Sequence, residues 1–264
     1  MGTDLKLSKR LSAIAGMVNS GGGYGDAGQY CLCDVGTDHA HIPIKLILDG
    51  TISGAIAMDV IEGPLEKARG NIELYGVEDR ILLRLSDGLD AYVPGEAQGL
   101  VIAGMGGRIM SRILLREPRK SCDFGELILQ PQADPEFVRR AVRELGLYPD
   151  REEIVLEDGK YYPVIHAVHT FTEGPDWKDA EGRDPDEEEA AFRQAVEDEF
   201  GPVLLKERSE MLYRYLLWQK GVNDRIIESL SLAGDPGRPE LLAKRKQVER
   251  KEKMILAALG FFDG

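Results

Sequence analysis

The sequence predicts an α/β protein of 264 residues, with a doubly wound sheet over residues 1–172 and a coiled-coil-like α-helical hairpin at the C-terminal end. Three observations predict it. Short apolar runs alternate with helical segments up to about Pro131, the pattern of parallel strands joined by right-handed crossovers. Three successive strands of that pattern end in an aspartate. Beyond Thr172, leucine, isoleucine and valine recur every seven residues instead.

The elements follow in order. Leu5, Leu7, Leu11, Ile14 and Val18 line an apolar face and leave Lys6, Lys9 and Arg10 to solvent. The glycine-rich segment Gly21-Gly22-Gly23-Tyr24-Gly25 makes a long irregular loop before the first strand. That strand runs from Tyr30 to Cys33, apolar enough to be covered on both faces. It ends in the turn Asp34-Val35-Gly36-Thr37-Asp38-His39-Ala40, where Gly36 permits a tight bend, and Pro43 then sits in the first turn of a helix. A ligand there is expected to meet free backbone amides. The second strand, from Ser53 to Met58, is closed by Asp59, and Gly63-Pro64 opens a helix through Tyr75. The third strand, Ile81 to Leu85, ends in Ser86-Asp87-Gly88-Leu89. The fourth runs from Gly99 to Ala103 and meets Gly104-Met105-Gly106-Gly107-Arg108; the fifth runs from Glu126 to Gln130. A helix from Pro135 to Leu145 precedes two strands, Glu152 to Glu157 and Tyr161 to Phe171. The Asp158-Gly159 turn between them predicts an antiparallel hairpin closing the sheet.

The remainder divides into a linker with a helix start, residues 173–189, and the helical hairpin, residues 190–264. From Glu173 to Glu199 there are twelve acidic residues and three basic, in a chain whose net charge is −13. Acidic residues from Asp184 to Glu189 suit a helix N-terminus, and Gly201-Pro202 breaks that helix. One helix is expected from about Pro202 to Leu232, with Leu205, Leu212 and Ile226 on one line and Leu216 and Leu230 on another; Gln219 and Asn223 interrupt the seam. The turn from Gly234 to Pro239 leads to a last helix bearing Leu241, Val248 and Ile255 at the same interval. Lys244, Arg245, Lys246, Arg250, Lys251 and Lys253 form a basic cluster suited to a polyanion, or a solvated helix face. No apolar run approaches the roughly 20 residues that cross a bilayer, and the N-terminus has no signal pattern, so a cytoplasmic protein is expected. Cys31, Cys33 and Cys122 are expected to be reduced and mostly buried.

The turn after the first strand indicates the ligand. A dinucleotide site presses three glycines against a pyrophosphate; here one is present, and Asp34 and Asp38 disfavour phosphate. A nucleoside carrying an ammonium and a sulfonium suits those carboxylates, and S-adenosylmethionine answers that description. Asp34, Gly36, Thr37 and His39 form the turn that meets it, Asp59 with Val60 takes the ribose hydroxyls, Asp87 with Gly88 takes the adenine amine, and Ala103 closes the crevice. Each aspartate taken alone also reads as a helix cap or turn former. Three at successive strand ends converge on one crevice.

The acceptor end follows the fourth strand. Gly104, Gly106 and Gly107 leave room for a flat base, and the carbonyls of Gly104 and Met105 face an exocyclic amine, which suits adenine. Asp38 or Asp59 favours a cationic adduct, and no general base is assigned. Arg108, Arg112 and Arg116 recur at i, i+4 and i+8 as a stripe for phosphates, while Lys9, Arg10 and Tyr161 flank the entrance. A metal centre among Asp34, Asp38, His39, His41 and Asp59 is the competing reading. Adjacent Asp38 and His39 would have to share one ion, and the other two histidines fall in the last strand, so no metal is expected.

Leu5-Lys6-Leu7-Ser8-Lys9-Arg10-Leu11, Asp34-Val35-Gly36-Thr37-Asp38-His39-Ala40, Ser86-Asp87-Gly88-Leu89, Ile102-Ala103-Gly104-Met105-Gly106-Gly107 and Leu127-Ile128-Leu129-Gln130-Pro131 together resemble the bacterial tRNA (adenine-22, N1)-methyltransferases over nearly the whole chain. The resemblance implies a Rossmann-like class I methyltransferase domain, a C-terminal helical hairpin that helps hold tRNA, and methylation of adenine 22. It implies tRNA as the partner and no protein partner. Other readings are a methyltransferase for another RNA or a small molecule, with the hairpin as a lid, and a non-catalytic RNA-binding scaffold.

Overall fold

A computed structural model describes residues 5–19, 30–175, 177, 186–232 and 239–263. The chain divides into two compact units, Met1–Thr172 and Glu173–Gly264. The first contains α1 (Lys9–Gly16), β1 (Cys31–Val35), α2 (His41–Leu48), β2 (Gly54–Asp59), α3 (Glu62–Tyr75), β3 (Ile81–Leu85), β4 (Gly99–Gly106), α4 (Gly107–Arg116), α5 (Pro118–Ser121), β5 (Glu126–Ala133), α6 (Pro135–Glu144), β6 (Tyr148–Glu157) and β7 (Lys160–Val168). Its seven strands form one sheet in the order β3-β2-β1-β4-β5-β7-β6. The first five pair in parallel, and β7 runs antiparallel to both β5 and β6. The chain therefore winds outward from β1 through β2 to β3, then returns to place β4 on the other side of β1. That reversal opens a crevice at the carboxyl ends of β1 and β4.

Apolar runs in the central strands are continuous because both sheet faces are buried. Leu32, Val101 and Ile128 point into one core, with Ile14, Ile44, Ile47, Ala68 and Ile72 from α1, α2 and α3. Their neighbours Cys33, Leu100, Ile102, Leu127 and Leu129 point into the other, with Met110, Leu114, Val138 and Val142 from α4 and α6. Cys33 is buried, Cys31 and Cys122 are half-buried, and all three are free thiols.

The second unit contains α7 (Glu187–Phe200), α8 (Pro202–Lys206), α9 (Glu210–Leu232), α10 (Pro239–Leu259) and a terminal 3₁₀ turn, Gly260–Phe262. Asp186 caps α7 by accepting the Glu189 N–H at 2.8 Å. The single helix expected from Pro202 to Leu232 is in fact two. Arg208 adopts a left-handed φ of 51°, its N–H reaches the Leu205 carbonyl at 3.1 Å, and the Ser209 N–H reaches the Leu204 carbonyl at 3.0 Å. Those two bonds close α8 as a Schellman cap without a glycine, and the Ser209 hydroxyl then receives the Leu212 N–H at 3.4 Å to start α9. Leu212, Leu216, Val248 and Ile255 are buried along the α9–α10 seam. Asn223 is buried there too, and its Nδ2 donates to the Val248 carbonyl and to Glu252 Oε2, each at 3.3 Å. Three members of the basic cluster are engaged within this unit: Lys251 pairs with Glu199, Arg245 with Glu249 at 2.9 Å, and Lys244 donates to Gln247 Oε1 at 3.3 Å. Lys246, Arg250 and Lys253 remain exposed. The loop Gly21 to Gly25, most of the acidic linker and the turn before Pro239 lie outside the described residues. Among those described, no helix is long and apolar enough to cross a membrane.

Candidate active site

The ends of β1, β2 and β4 and the turn after β3 enclose a cleft of about 570 Å3. Its floor is the turn after β1, in which Gly36, Asp38 and Ala40 have φ of 74°, 52° and 57°. Three left-handed residues within five keep the chain curled at the strand end. Gly36 is required there for its φ; a Cβ would also press on the Met105 side-chain end, which can move aside. Four of the five amides from Gly36 to Ala40 are not free, contrary to the expectation from sequence. Gly36 and Thr37 both donate to the Met58 carbonyl, at 2.8 and 3.0 Å, and Ala40 donates to the Thr37 carbonyl at 2.9 Å. Asp38 donates to Asp59 Oδ2 at 3.3 Å. Strand β2 absorbs the donors that would otherwise hold an anion, and a negatively charged floor results.

Asp34 lies at the end of β1, 3 % exposed. Its Oδ2 accepts the Thr37 hydroxyl at 2.6 Å, and it forms no ion pair among the described residues. Burial, and then the charge of Asp59, push its carboxyl up to about 6, against the Thr37 bond that lowers it. Asp59, at the end of β2, accepts the Ile61 N–H on Oδ1 at 3.1 Å as well as the Asp38 N–H on Oδ2. Beside it Val60 and Ile61 are 58 % and 60 % exposed, apolar side chains left open at the cleft. Asp87 is exposed and paired with Arg116 Nη1 at 2.8 Å, which together with the Arg116 charge holds its carboxyl below the usual range. Arg116 also donates to the Asp87 carbonyl and to Asp90 Oδ1.

At the other end of the cleft the β4–β5 ladder breaks. Ala103 pairs with Gln130 and Met105 with Pro131, so Gly104 is extruded as a bulge with φ 78°. Its N–H donates to Gln130 Oε1 at 3.3 Å, and the same oxygen accepts Arg10 Nη1 at 2.7 Å. Arg10 also lies over the Tyr162 ring, 5.5 Å from its centroid, and 3.8 Å from Glu157 Oε2.

The cleft gathers Asp34, Gly36, Thr37, Asp38, His39, Asp59, Val60, Asp87, Gly88, Ala103, Gly104 and Met105, together with Arg10 and Arg112. Lys9, Gly106, Gly107, Arg108 and Tyr161 do not line it. The arginine stripe is dispersed by its own neighbours: Arg108 pairs with Asp134 at 3.0 Å and stacks on Phe137, and Arg116 turns to Asp87. Only Arg112 of the three lines the cleft, and it forms no hydrogen bond or ion pair among the described residues. Arg10 is half-buried and bonded rather than open to solvent. Gly107 serves packing, since a Cβ there would drive into the Asp134 carbonyl. Sequence reasoning missed Ile42, Ile61, Pro64, Ile109, Ile113 and Gln132 as lining residues. Apolar periodicity cannot separate a cleft wall from a core contact, but the Gln130-Pro131 pair was a readable break in the fifth strand. No group of three or more His, Cys, Asp or Glu side chains suited to a metal ion occurs among the described residues.

Residues 7–165 match a methyltransferase domain family. A curated Bacillus subtilis tRNA (adenine(22)-N(1))-methyltransferase is 31% identical over 237 residues, 88% of this chain and 89% of that protein. The chain belongs to the tRNA (adenine(22)-N(1))-methyltransferase family. Solved structures of similar proteins agree with the architecture. The crystal structure of the B. subtilis M1A22 tRNA methyltransferase TrmK superposes with a TM-score of 0.77 at 27% identity, covering 97% of this chain and 100% of that one. The Streptococcus pneumoniae protein Sp1610, crystallised in complex with S-adenosyl-L-methionine, gives 0.72 at 29% identity, covering 96% of this chain and 100% of that one.

Proposed function

We propose that this protein transfers a methyl group from S-adenosylmethionine to N1 of adenine 22 in tRNA. One observation carries the reading: Asp34, Asp59 and Asp87 from three strand ends line the same cleft as the Gly104–Met105 bulge, in a chain of this family. The donor set fits the cofactor. Asp34 is a buried carboxylate without a cationic partner among the described residues, and most of the turn amides are already taken, so the floor favours a cation over a phosphate. Asp59 is held by two backbone N–H groups with its remaining lone pairs available to hydroxyls, and Val60 and Ile61 offer an apolar wall to a base.

Asp34 with Thr37 and His39 would hold the amino-acid end, Asp59 and Val60 the ribose, and Asp87 and Gly88 the adenine, with Ala103 behind. When bound, S-adenosylmethionine supplies an electrophilic methyl, which the N1 lone pair of adenine takes to leave S-adenosylhomocysteine and a cationic base. Neutral adenine needs no deprotonation at N1, so the residues contribute position and charge. Gly104 and Met105 offer backbone to a flat acceptor, and Asp38 and Asp59 place negative charge near the cation formed. Aligning two bound reactants is worth on the order of 7–11 kcal/mol in favourable cases. Arg10 and Arg112 give the cleft its positive charge for the phosphates flanking an extruded base. Lys9, exposed on α1, lies outside the cleft as a further phosphate contact. The helical unit, with Lys246, Arg250 and Lys253 exposed, holds the body of the tRNA, and the protein works in the cytoplasm.

The deciding experiment measures transfer of labelled methyl to an unmodified tRNA transcript and to one with guanine at position 22. Label in the first alone is expected. Equal label in both overturns the position, and none in either, with cofactor bound, overturns the substrate.

A further inference from the structure

The Gln130-Pro131 pair does something that no backbone ladder can. In a parallel pair each strand supplies N–H donors to its neighbour, and Pro131 has none to give. The register shifts on both sides of the Met105–Pro131 pair, Gly104 leaves it, and the Gly104 N–H donates to the Gln130 side chain. Gln130 is fully buried. Its Oε1 accepts both Gly104 N–H and Arg10 Nη1, and its Nε2 donates to the Pro131 carbonyl at 2.8 Å. The side chain is therefore spent on the protein and does not meet a ligand. It joins three segments that share the acceptor end of the cleft: α1 through Arg10, the β4 bulge through Gly104, and β5 through itself.

We propose that Gln130 is a positioning residue for the acceptor, setting where the Gly104 backbone and the Arg10 guanidinium stand relative to each other at the methyl-receiving end of the cleft. The inference rests on the methyl-transfer reading above. Glu157 fixes the other side of the same arginine: it accepts the Arg10 backbone N–H at 3.2 Å and the Ser8 hydroxyl at 3.3 Å, and its Oε2 stands 3.8 Å from the guanidinium. Arg10 is thus anchored from two sides with Tyr162 beneath it, while the cofactor carboxylates Asp34, Asp59 and Asp87 make no bond to Gln130. Loosening Gln130 therefore acts on the acceptor and spares the cofactor.

The test uses the full chain, steady-state methyl transfer to the tRNA transcript, S-adenosylhomocysteine affinity and amide exchange at Gly104. Gln130→Leu removes the acceptor atom and is expected to lower kcat/KM for tRNA by about tenfold to a hundredfold, the loss of a hydrogen bond to a charged group. Affinity for S-adenosylhomocysteine is expected to stay within about twofold, and Gly104 exchange to speed up. Gln130→Glu keeps an oxygen for both donors but turns its second oxygen to the Pro131 carbonyl, to which only the protonated acid can donate as the amide does, so it is expected to restore part of the turnover lost in Gln130→Leu. Gln130→Asn, whose shorter amide withdraws from both donors, is expected to follow Gln130→Leu and serves if the leucine variant does not fold. In an Arg10→Met background, Gln130→Leu is expected to cost less than it does alone. Wild-type kcat/KM and wild-type exchange in the leucine or asparagine variant overturn the proposal, as do parallel losses of turnover and cofactor affinity. Exchange at Gly104 reads the tether whether or not methyl is transferred, so failure of the wild-type protein on the transcript counts against the substrate alone.

Discussion

Replacing Asp34 with asparagine separates what this residue does for the fold from what it does for the ligand. The carboxyl is moved from 3.8 to about 6, by burial first and by Asp59 after it. Holding it ionised at pH 7.5 therefore costs the free protein about 3 kcal/mol, at about 1.4 kcal/mol for each tenfold. Because the folded value lies above the ordinary one, the stabilisation belongs to the protonated form. It is complete below the ordinary value and is lost as pH rises through about 6. Asparagine is neutral at every pH and keeps an oxygen for the Thr37 hydroxyl. The variant without cofactor is expected to melt higher than wild type at pH 7.5, by up to about 6–12 °C for a unit of this size, to keep about half of that advantage at pH 5, and to lose it only below the ordinary carboxyl value. Cofactor binding is expected to move the other way, weakened about tenfold to a hundredfold or more by loss of a charged partner for the ammonium. Wild-type affinity for S-adenosylhomocysteine is expected to fall with acidification below about 6, as the carboxyl must first lose its proton. Thermal melts and calorimetric titration of both proteins across this range check the account. An asparagine variant that melts lower than wild type at pH 7.5, or binds S-adenosylhomocysteine as tightly, refutes it.

Gly107→Ala places a methyl against the Asp134 carbonyl, which is backbone and cannot swing aside; a loss of about 1–3 kcal/mol is expected in denaturant unfolding. Arg112→Ala is expected to leave stability within about 0.5 kcal/mol, raise the KM for tRNA, and reduce the salt dependence of tRNA binding by about one counterion. His166 is buried, which opposes its charge, yet its bonds to Asp150 and to Glu126 Oε2 at 2.6 Å raise its proton affinity on balance. Its contribution is full below the ordinary histidine value and is lost as pH rises through the raised one. His166→Gln is therefore expected to be less stable than wild type at neutral pH and to lose less on going alkaline, as read by melts from pH 6 to 9.

Much of this was legible before the structure. The strands were readable because a doubly covered sheet demands runs such as Leu100-Val101-Ile102, and the closing hairpin because Asp158-Gly159 suits its turn. The helix break at Arg208 was not, since its cap depends on a non-glycine residue held left-handed by bonds to Leu204 and Leu205, which leave no compositional mark.

The sequence by itself determined the order of the strands, the aspartates at three strand ends and the glycine at the turn, because periodicity and local backbone preference act between near neighbours. Only the tertiary structure decided which charges face the cleft. Arg108, Arg112 and Arg116 share a spacing, yet Asp134 takes the first, Asp87 and Asp90 take the third, and the cleft receives the second. The β2 end likewise takes the turn amides, and Gln130 ties Arg10 to Gly104 across 120 and 26 residues of chain. A charged side chain's role is set by the partner that desolvates or neutralises it, and those partners come from other strands.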